Sequence, residues 1–64
     1  MVSDRDIWCT ANRVMQEYGN EAELVASERA EEMLQRSDLD GQRVWRRISR
    51  AIREFQAPAT GKPN

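Results

Sequence analysis

The sequence predicts an all-α protein: a compact three-helix bundle over about residues 4–18, 21–36 and 39–56, followed by a flexible C-terminal tail. Apolar residues recur at helical spacing in three segments, and polar or glycine-containing breaks separate them. The chain is 39% hydrophobic and 33% charged, which is typical of a globular domain rather than a disordered one. Because short connections force neighbouring helices antiparallel, we expect an up-down-up arrangement.

The first helix has a clear start and end. Ser3 is a good helix cap, and two aspartates follow it at the positive end of the helix dipole. Gly19 is suited to the left-handed residue that often ends a helix, and Asn20 is a suitable cap for the next one. The inward arc, about 120° wide, is predicted to comprise Ile7, Trp8, Ala11, Val14, Met15 and Tyr18.

The second helix is predicted to present mainly small side chains to the core, namely Ala22, Ala26, Ala30, Met33 and Leu34. Small residues allow the neighbouring helices to approach closely. We therefore expect the other two helices to supply the bulk through Trp8, Tyr18, Trp45 and Phe55. Leu24 falls off the inward arc and Val25 lies at its edge, so these residues either cover an end of the core or are exposed.

The third helix has the cleanest apolar pattern, made by Val44, Trp45, Ile48, Ala51, Ile52 and Phe55. Its start near Leu39 has several possible caps: Ser37 with Asp40 as a loose capping box, or Asp38 or Asp40 directly. The opposite side of this helix carries five arginines, Arg43, Arg46, Arg47, Arg50 and Arg53, and we call this side the arginine face.

At 64 residues the chain has room for one domain, predicted over residues 1–56. Both prolines and a glycine lie within residues 57–64, which contain no periodic apolar residues and are therefore predicted to be a disordered tail. The N-terminus lacks the features of an export signal, and no apolar run approaches the ~20 residues of a membrane span. With a single cysteine, these features favour the cytoplasm.

The residues indicate no catalytic, cofactor or metal site. Without histidine, and with only Cys9 as a thiol, the chain lacks the ligands of a structural zinc site. Cys9 is interpreted as a surface thiol, with a dimer contact as the alternative. The D-L-D-G sequence at 38–41 resembles part of a calcium loop, but Arg36 and Arg47 would occupy its first and twelfth ligand positions, so it is interpreted as a turn and cap.

The arginine face is the feature with most functional significance, although the formal net charge of the chain is only −1. One interpretation is a solvated surface partly paired with the acidic second helix. We expect a non-enzymatic protein-protein interaction module, with a homodimer as one form, that uses this face or exposed apolar residues such as Leu24 and Val25. The alternative is a nucleic-acid-binding accessory protein with the third helix as the contact helix. Membrane binding is not expected, because the apolar arc is needed for the core.

Two tryptophans offer a further possibility. Trp8 and Trp45 both lie at the edge of an apolar arc, where an amphipathic ring often reaches the surface. We interpret each as a core anchor. If the two were exposed side by side, they would instead form the centre of a binding patch.

The spacing of small and aromatic anchors along the chain resembles a small, uncharacterised bacterial family of helical proteins. The resemblance covers roughly residues 4–55 and consists of Trp8, Ala11, Gly19, Ala22, Ala26, Ala30, Asp38, Gly41, Trp45, Ile48, Ala51 and Ile52. It implies a short helical domain with no assigned activity, and it implies no catalytic residues.

Overall fold

The computed structural model describes residues 2–57. They form helix α1 (Asp4–Tyr18), the 3₁₀ turn η1 (Gly19–Glu21), helix α2 (Ala22–Gln35) and helix α3 (Leu39–Gln56). No strand occurs within these residues, so the prediction of a compact all-helical protein is confirmed. The predicted tail lies outside the described residues, except for Ala57.

The predicted count of three separate helices is wrong. Residues 4–35 are helical without interruption because η1 joins α1 directly to α2, so the described chain has two helical stretches. Gly19 reverses the direction of the first stretch with a φ of 57°, in the left-handed region where glycine is favoured. Asn20 lies inside η1 and does not cap α2, whose first turn receives no side-chain cap.

The start of α1 follows the sequence prediction closely. The Ser3 hydroxyl accepts a hydrogen bond from the Asp6 backbone N–H at 3.2 Å, and the Asp6 carboxylate accepts one from the Ser3 N–H at 3.3 Å. This reciprocal pair satisfies two backbone donors that the helix leaves unpaired.

The turn between α2 and α3 selects one of the predicted caps. Asp38 accepts a hydrogen bond from the Gly41 N–H at 2.9 Å and so caps α3 directly. Ser37 takes a left-handed conformation with φ of 62° and ends α2, since the N–H groups of Ser37 and Asp38 donate to Leu34 and Met33. The capping box that begins at Ser37 is therefore wrong. A Cβ atom on Gly41 would lie 2.6 Å from the Asp38 carboxylate, so glycine leaves room for the cap.

The core consists largely of small aliphatic side chains. Its connected cluster is Ile7, Ala11, Val14, Ala22, Ala26, Ile48, Ala51 and Ile52, and the partly buried residues packed on it are Met15, Val25, Val44 and Trp45. Except for Val25, which was placed at the edge of its arc, the predicted inward positions of these residues on the helices are confirmed. Because so many of them are alanines, the helices lie close together and little room remains for large rings between them.

Several residues predicted to fill the core are exposed instead. Phe55 is 65% exposed, Leu34 45%, Tyr18 42% and Trp8 41%. These residues lie outside the connected core cluster, at its rim. The sequence allowed Leu24 and Val25 either to cover an end of the core or to be exposed. Leu24 is exposed, whereas Val25 packs on the core.

Helices α2 and α3 form an antiparallel hairpin, and their contact is the most extensive in the molecule. Its direction follows from two side-chain pairs, Ser27 with Ser49 and Glu23 with Arg53. Helix α1 packs on one side of this hairpin through the core. The opposite side of the hairpin is turned away from α1, and it carries the candidate site.

Candidate functional site

All five residues of the arginine face are exposed. Their orientation follows from the burial of the opposite side of α3, where Ile48 and Ile52 retain only 2% and 0% of their surface. The sequence prediction of an outward cationic surface on α3 is therefore confirmed.

Two of the five arginines are already paired within the chain. The Arg53 Nε donates to the Glu23 carboxylate at 2.8 Å, and an Arg47 guanidinium nitrogen lies 2.5 Å from an Asp4 carboxylate oxygen. The first pair is of the kind expected between acidic α2 and basic α3, whereas the second reaches across to the first turn of α1. Exposed pairs of this kind contribute at most about 1 kcal/mol, because water and salt screen them.

The other three arginines form a stripe along α3. Arg43, Arg46 and Arg50, here called the arginine stripe, have no carboxylate oxygen within 4.0 Å among residues 2–57. Their spacing of three and then four residues keeps them on one side of the helix over about 10 Å. The positive charge of this stripe is therefore available to a ligand.

The arginine stripe borders an open groove between α2 and α3, with a volume of about 690 Å³. Its walls are Ser27, Ala30 and Glu31 from α2, and Gln42, Arg43, Arg46, Arg47, Ser49, Arg50 and Arg53 from α3. The two edges differ in charge, because α2 contributes a carboxylate and α3 contributes guanidinium groups. The groove can therefore bind a surface through hydrogen bonds and ion pairs.

Two serines on the wall of the groove were missed by the sequence reasoning. The Ser27 and Ser49 hydroxyls are 3.0 Å apart and join α2 to α3, with Ser49 buried at 8% exposure. Ser49 lies next to the apolar arc of α3, just beyond Trp45. That position indicated that its side chain could be buried. The hydrogen bond gives both hydroxyls a partner at the contact between the two helices.

The remaining sequence candidates are separated from the groove. Trp8 does not meet Trp45; it packs edge-to-face against Phe55, with ring centroids 6.3 Å apart. Cys9 is exposed on α1. Within residues 2–57 no group of three acidic or thiol side chains comes together that could hold a metal ion. No helix in the described part of the chain is long and apolar enough to cross a membrane.

Comparison with known proteins found no matching family model, no matching curated protein and no matching solved structure. The resemblance to a bacterial helical family therefore stays a prediction. The groove combines an acidic α2 edge with a stripe of three arginines on α3 that have no carboxylate partner in the described part of the chain.

Proposed function

We propose that this protein is a non-enzymatic protein-interaction module that binds an acidic protein surface through the arginine stripe. The observation that supports this most directly is the contrast within the arginine face: among residues 2–57, two of its arginines have carboxylate partners and three do not. A guanidinium group forms bidentate hydrogen bonds with a carboxylate, and it is less strongly hydrated than an ammonium group. Three such groups on one helix suit a row of carboxylates.

The shape of the groove suits a helical partner. An amphipathic helix lying between α2 and α3 would place its acidic residues against the arginine stripe. Leu24 and Leu39 are 59% and 53% exposed and lie on α2 and α3 outside the apolar core. By helical periodicity, Leu24 lies on the same side of α2 as Glu31, and Leu39 on the same side of α3 as Arg46. These leucines would provide apolar contacts at the ends of the groove.

Nucleic acid is the competing partner, because a basic helix can also contact phosphates. Glu31 lines the groove opposite the arginine stripe, and α2 carries further glutamates. A phosphate backbone lying on the stripe would be repelled by these carboxylates, whereas an acidic helix can turn its uncharged side toward them. This difference in charge favours a protein partner.

A binding experiment separates the two classes. A fluorescent helical peptide of about 16 residues, with glutamates spaced to match the stripe, is titrated with the protein at about 50 mM salt, beside a duplex of about 20 base pairs. We expect the peptide to bind, its glutamine version to bind at least tenfold more weakly, and the duplex not to bind. Fluorescence anisotropy reports each affinity.

Charge reversal then locates the surface. The double variant Arg46→Glu plus Arg50→Glu should lose the peptide, because both central guanidinium groups become carboxylates. The matched control, Arg5→Glu plus Arg13→Glu, makes the same change in net charge on α1 and should bind as the wild type does. Binding of the duplex alone would replace the proposal with the nucleic-acid function. Peptide binding that is indifferent to the stripe would refute it.

We also propose that the module works in the cytoplasm of a bacterium, with α1, α2 and α3 acting as one packed bundle of three segments. The support for the compartment is the unpaired, exposed Cys9, since a reducing environment keeps such a thiol free. The support for the bundle is the core cluster, to which all three α segments contribute.

A further inference from the structure

We infer that the partner of the groove is a second copy of this chain, an inference that rests on the proposed function. In the arrangement proposed, the α2–α3 hairpins of two copies pack face to face on the sides turned away from α1. A two-fold axis runs between them, parallel to the helices. Each α2 then lies over the α3 of the other copy, and the four helices form an antiparallel bundle.

The charges that α2 and α3 carry are complementary. Helix α2 carries Glu28 and Glu31, which have no arginine or lysine nitrogen within 4.0 Å among the described residues. Helix α3 carries Arg46 and Arg50, which likewise lack partners. The chain thus has an acidic helix and a basic helix side by side, and both have unpaired charges. A two-fold dimer in which α2 meets α3 pairs both sets of charges twice.

Two side-chain pairs set the register of the hairpin. The numbers in each of the pairs Ser27–Ser49 and Glu23–Arg53 add to 76, so residue i of α2 lies level with residue 76 − i of α3. Rotation about a two-fold axis parallel to the helices does not change the position of any residue along the helix direction. The same register therefore applies between the α2 of one copy and the α3 of the other.

This register places opposite charges together. Glu31 is level with residue 45 of the second copy, one residue from Arg46, and Glu28 is level with residue 48, two residues from Arg50. Two residues correspond to about 3 Å along a helix axis, well within the reach of these side chains. Both pairs of opposite charges therefore lie at matching heights without any sliding of one hairpin along the other.

The orientation of the axis is also decided by charge. With the axis across the helices instead of along them, α3 would lie on α3 and the arginine stripes would face each other. Like charges that face each other across an interface without counterions strongly disfavour association. The parallel axis is therefore the arrangement that these charges select.

The size of the face predicts a weak dimer. A face two helices wide and as long as α2 covers roughly 20 Å by 20 Å, or about 400 Å² per copy. Two such faces bury less than the ~1,200 Å² of a stable complex. The exposed Leu24 and Leu39 at the ends add apolar area, partly against arginine side-chain stems. We expect a dissociation constant in the range of about 10–500 µM, increasing with salt.

Sedimentation equilibrium tests the inference. At about 50 mM salt, the mass should increase from 7.4 kDa toward twice that value as the concentration increases through this range, and about 500 mM salt should return it to the monomer. Amide NMR shifts should change on dilution at Glu31 and Arg46 but not on the outer side of α1. A monomer at every concentration would overturn the inference.

A charge swap tests the pairing. The acidic variant Arg46→Glu plus Arg50→Glu and the basic variant Glu28→Arg plus Glu31→Arg should each be monomeric, with unchanged helical circular dichroism. Mixed in equal amounts, they should form a heterodimer, because both contacts again join opposite charges. A mixture that stays monomeric would overturn the proposed pairing. Single variants that still dimerise would place self-association on another surface, such as the rim around Trp8 and Phe55.

The matched control tests whether general electrostatic attraction between oppositely charged variants explains heterodimer formation. Arg5→Glu plus Arg13→Glu has the same net charge as the acidic variant but keeps the arginine stripe. Mixed with the basic variant, it should form no heterodimer. The peptide assay separates failure of the inference from failure of the proposed function: if the wild type stays monomeric but binds the acidic peptide through Arg46 and Arg50, only self-recognition is wrong.

Discussion

The two sides of α3 belong to the same helix but have opposite chemical roles. On one side Ile48, Ala51 and Ile52 are buried, and their positions are held by contacts with both other α segments. On the other side Arg43, Arg46 and Arg50 touch no carboxylate among residues 2–57. The buried side should therefore determine stability with little effect on binding. The arginine stripe should determine binding with little effect on stability.

The largest effect should come from the buried side. Replacing Ile52 by alanine removes a side chain with no exposed surface and leaves a cavity among neighbours that are already small. We expect a loss of about 2–5 kcal/mol in the free energy of unfolding, measured by urea denaturation followed by circular dichroism. Ile52→Val should lose only about 0.5–1.5 kcal/mol. Equal losses for the two variants would show that Ile52 is not packed as described.

Removal of the cap at the start of α3 should have an intermediate effect. Asp38→Ala leaves the Gly41 N–H without its side-chain acceptor, and the first turn of α3 loses a favourable negative charge. The expected loss is about 1 kcal/mol, measured by the same denaturation experiment. Asp40→Ala is the control, because Asp40 makes no such cap, and it should lose less.

The serine pair lies at the border between the two sides. Ser49→Ala should lose about 0.5–1.5 kcal/mol, because the Ser27 hydroxyl loses its partner inside the hairpin. Ser27→Ala should lose a similar amount, and the double variant should lose less than the two single losses added together. Strict additivity of the two losses would show that the hydroxyls do not interact.

The smallest effect on stability should come from the arginine stripe. Arg46→Gln plus Arg50→Gln removes two exposed charges that make no ion pair within the described residues. We expect the free energy of unfolding of the monomer to change by less than about 0.5 kcal/mol. The affinity for the acidic peptide should nevertheless decrease at least tenfold. A large loss of stability with unchanged peptide affinity would reverse the proposed roles of the two sides.

The sequence by itself determined which segments are helical and which side of α3 is buried. The 3.6-residue period of apolar positions identified the buried side of α3, and it placed all five arginines on the outside. Ser3 and Gly19 marked the ends of α1 correctly, because helix caps depend on the chemistry of only a few neighbouring residues. These features are local, and a local pattern is sufficient to predict them.

Only the tertiary structure decided which arginines are available and which rings are exposed. Asp4 pairs with Arg47 across 43 positions, and Phe55 lies at the rim although it shares the apolar arc of Ile48. Such outcomes depend on how far one helix is shifted and rotated against another. Many side chains set that placement together as they pack. No single segment contains this information, so the groove and its register follow from the assembled fold.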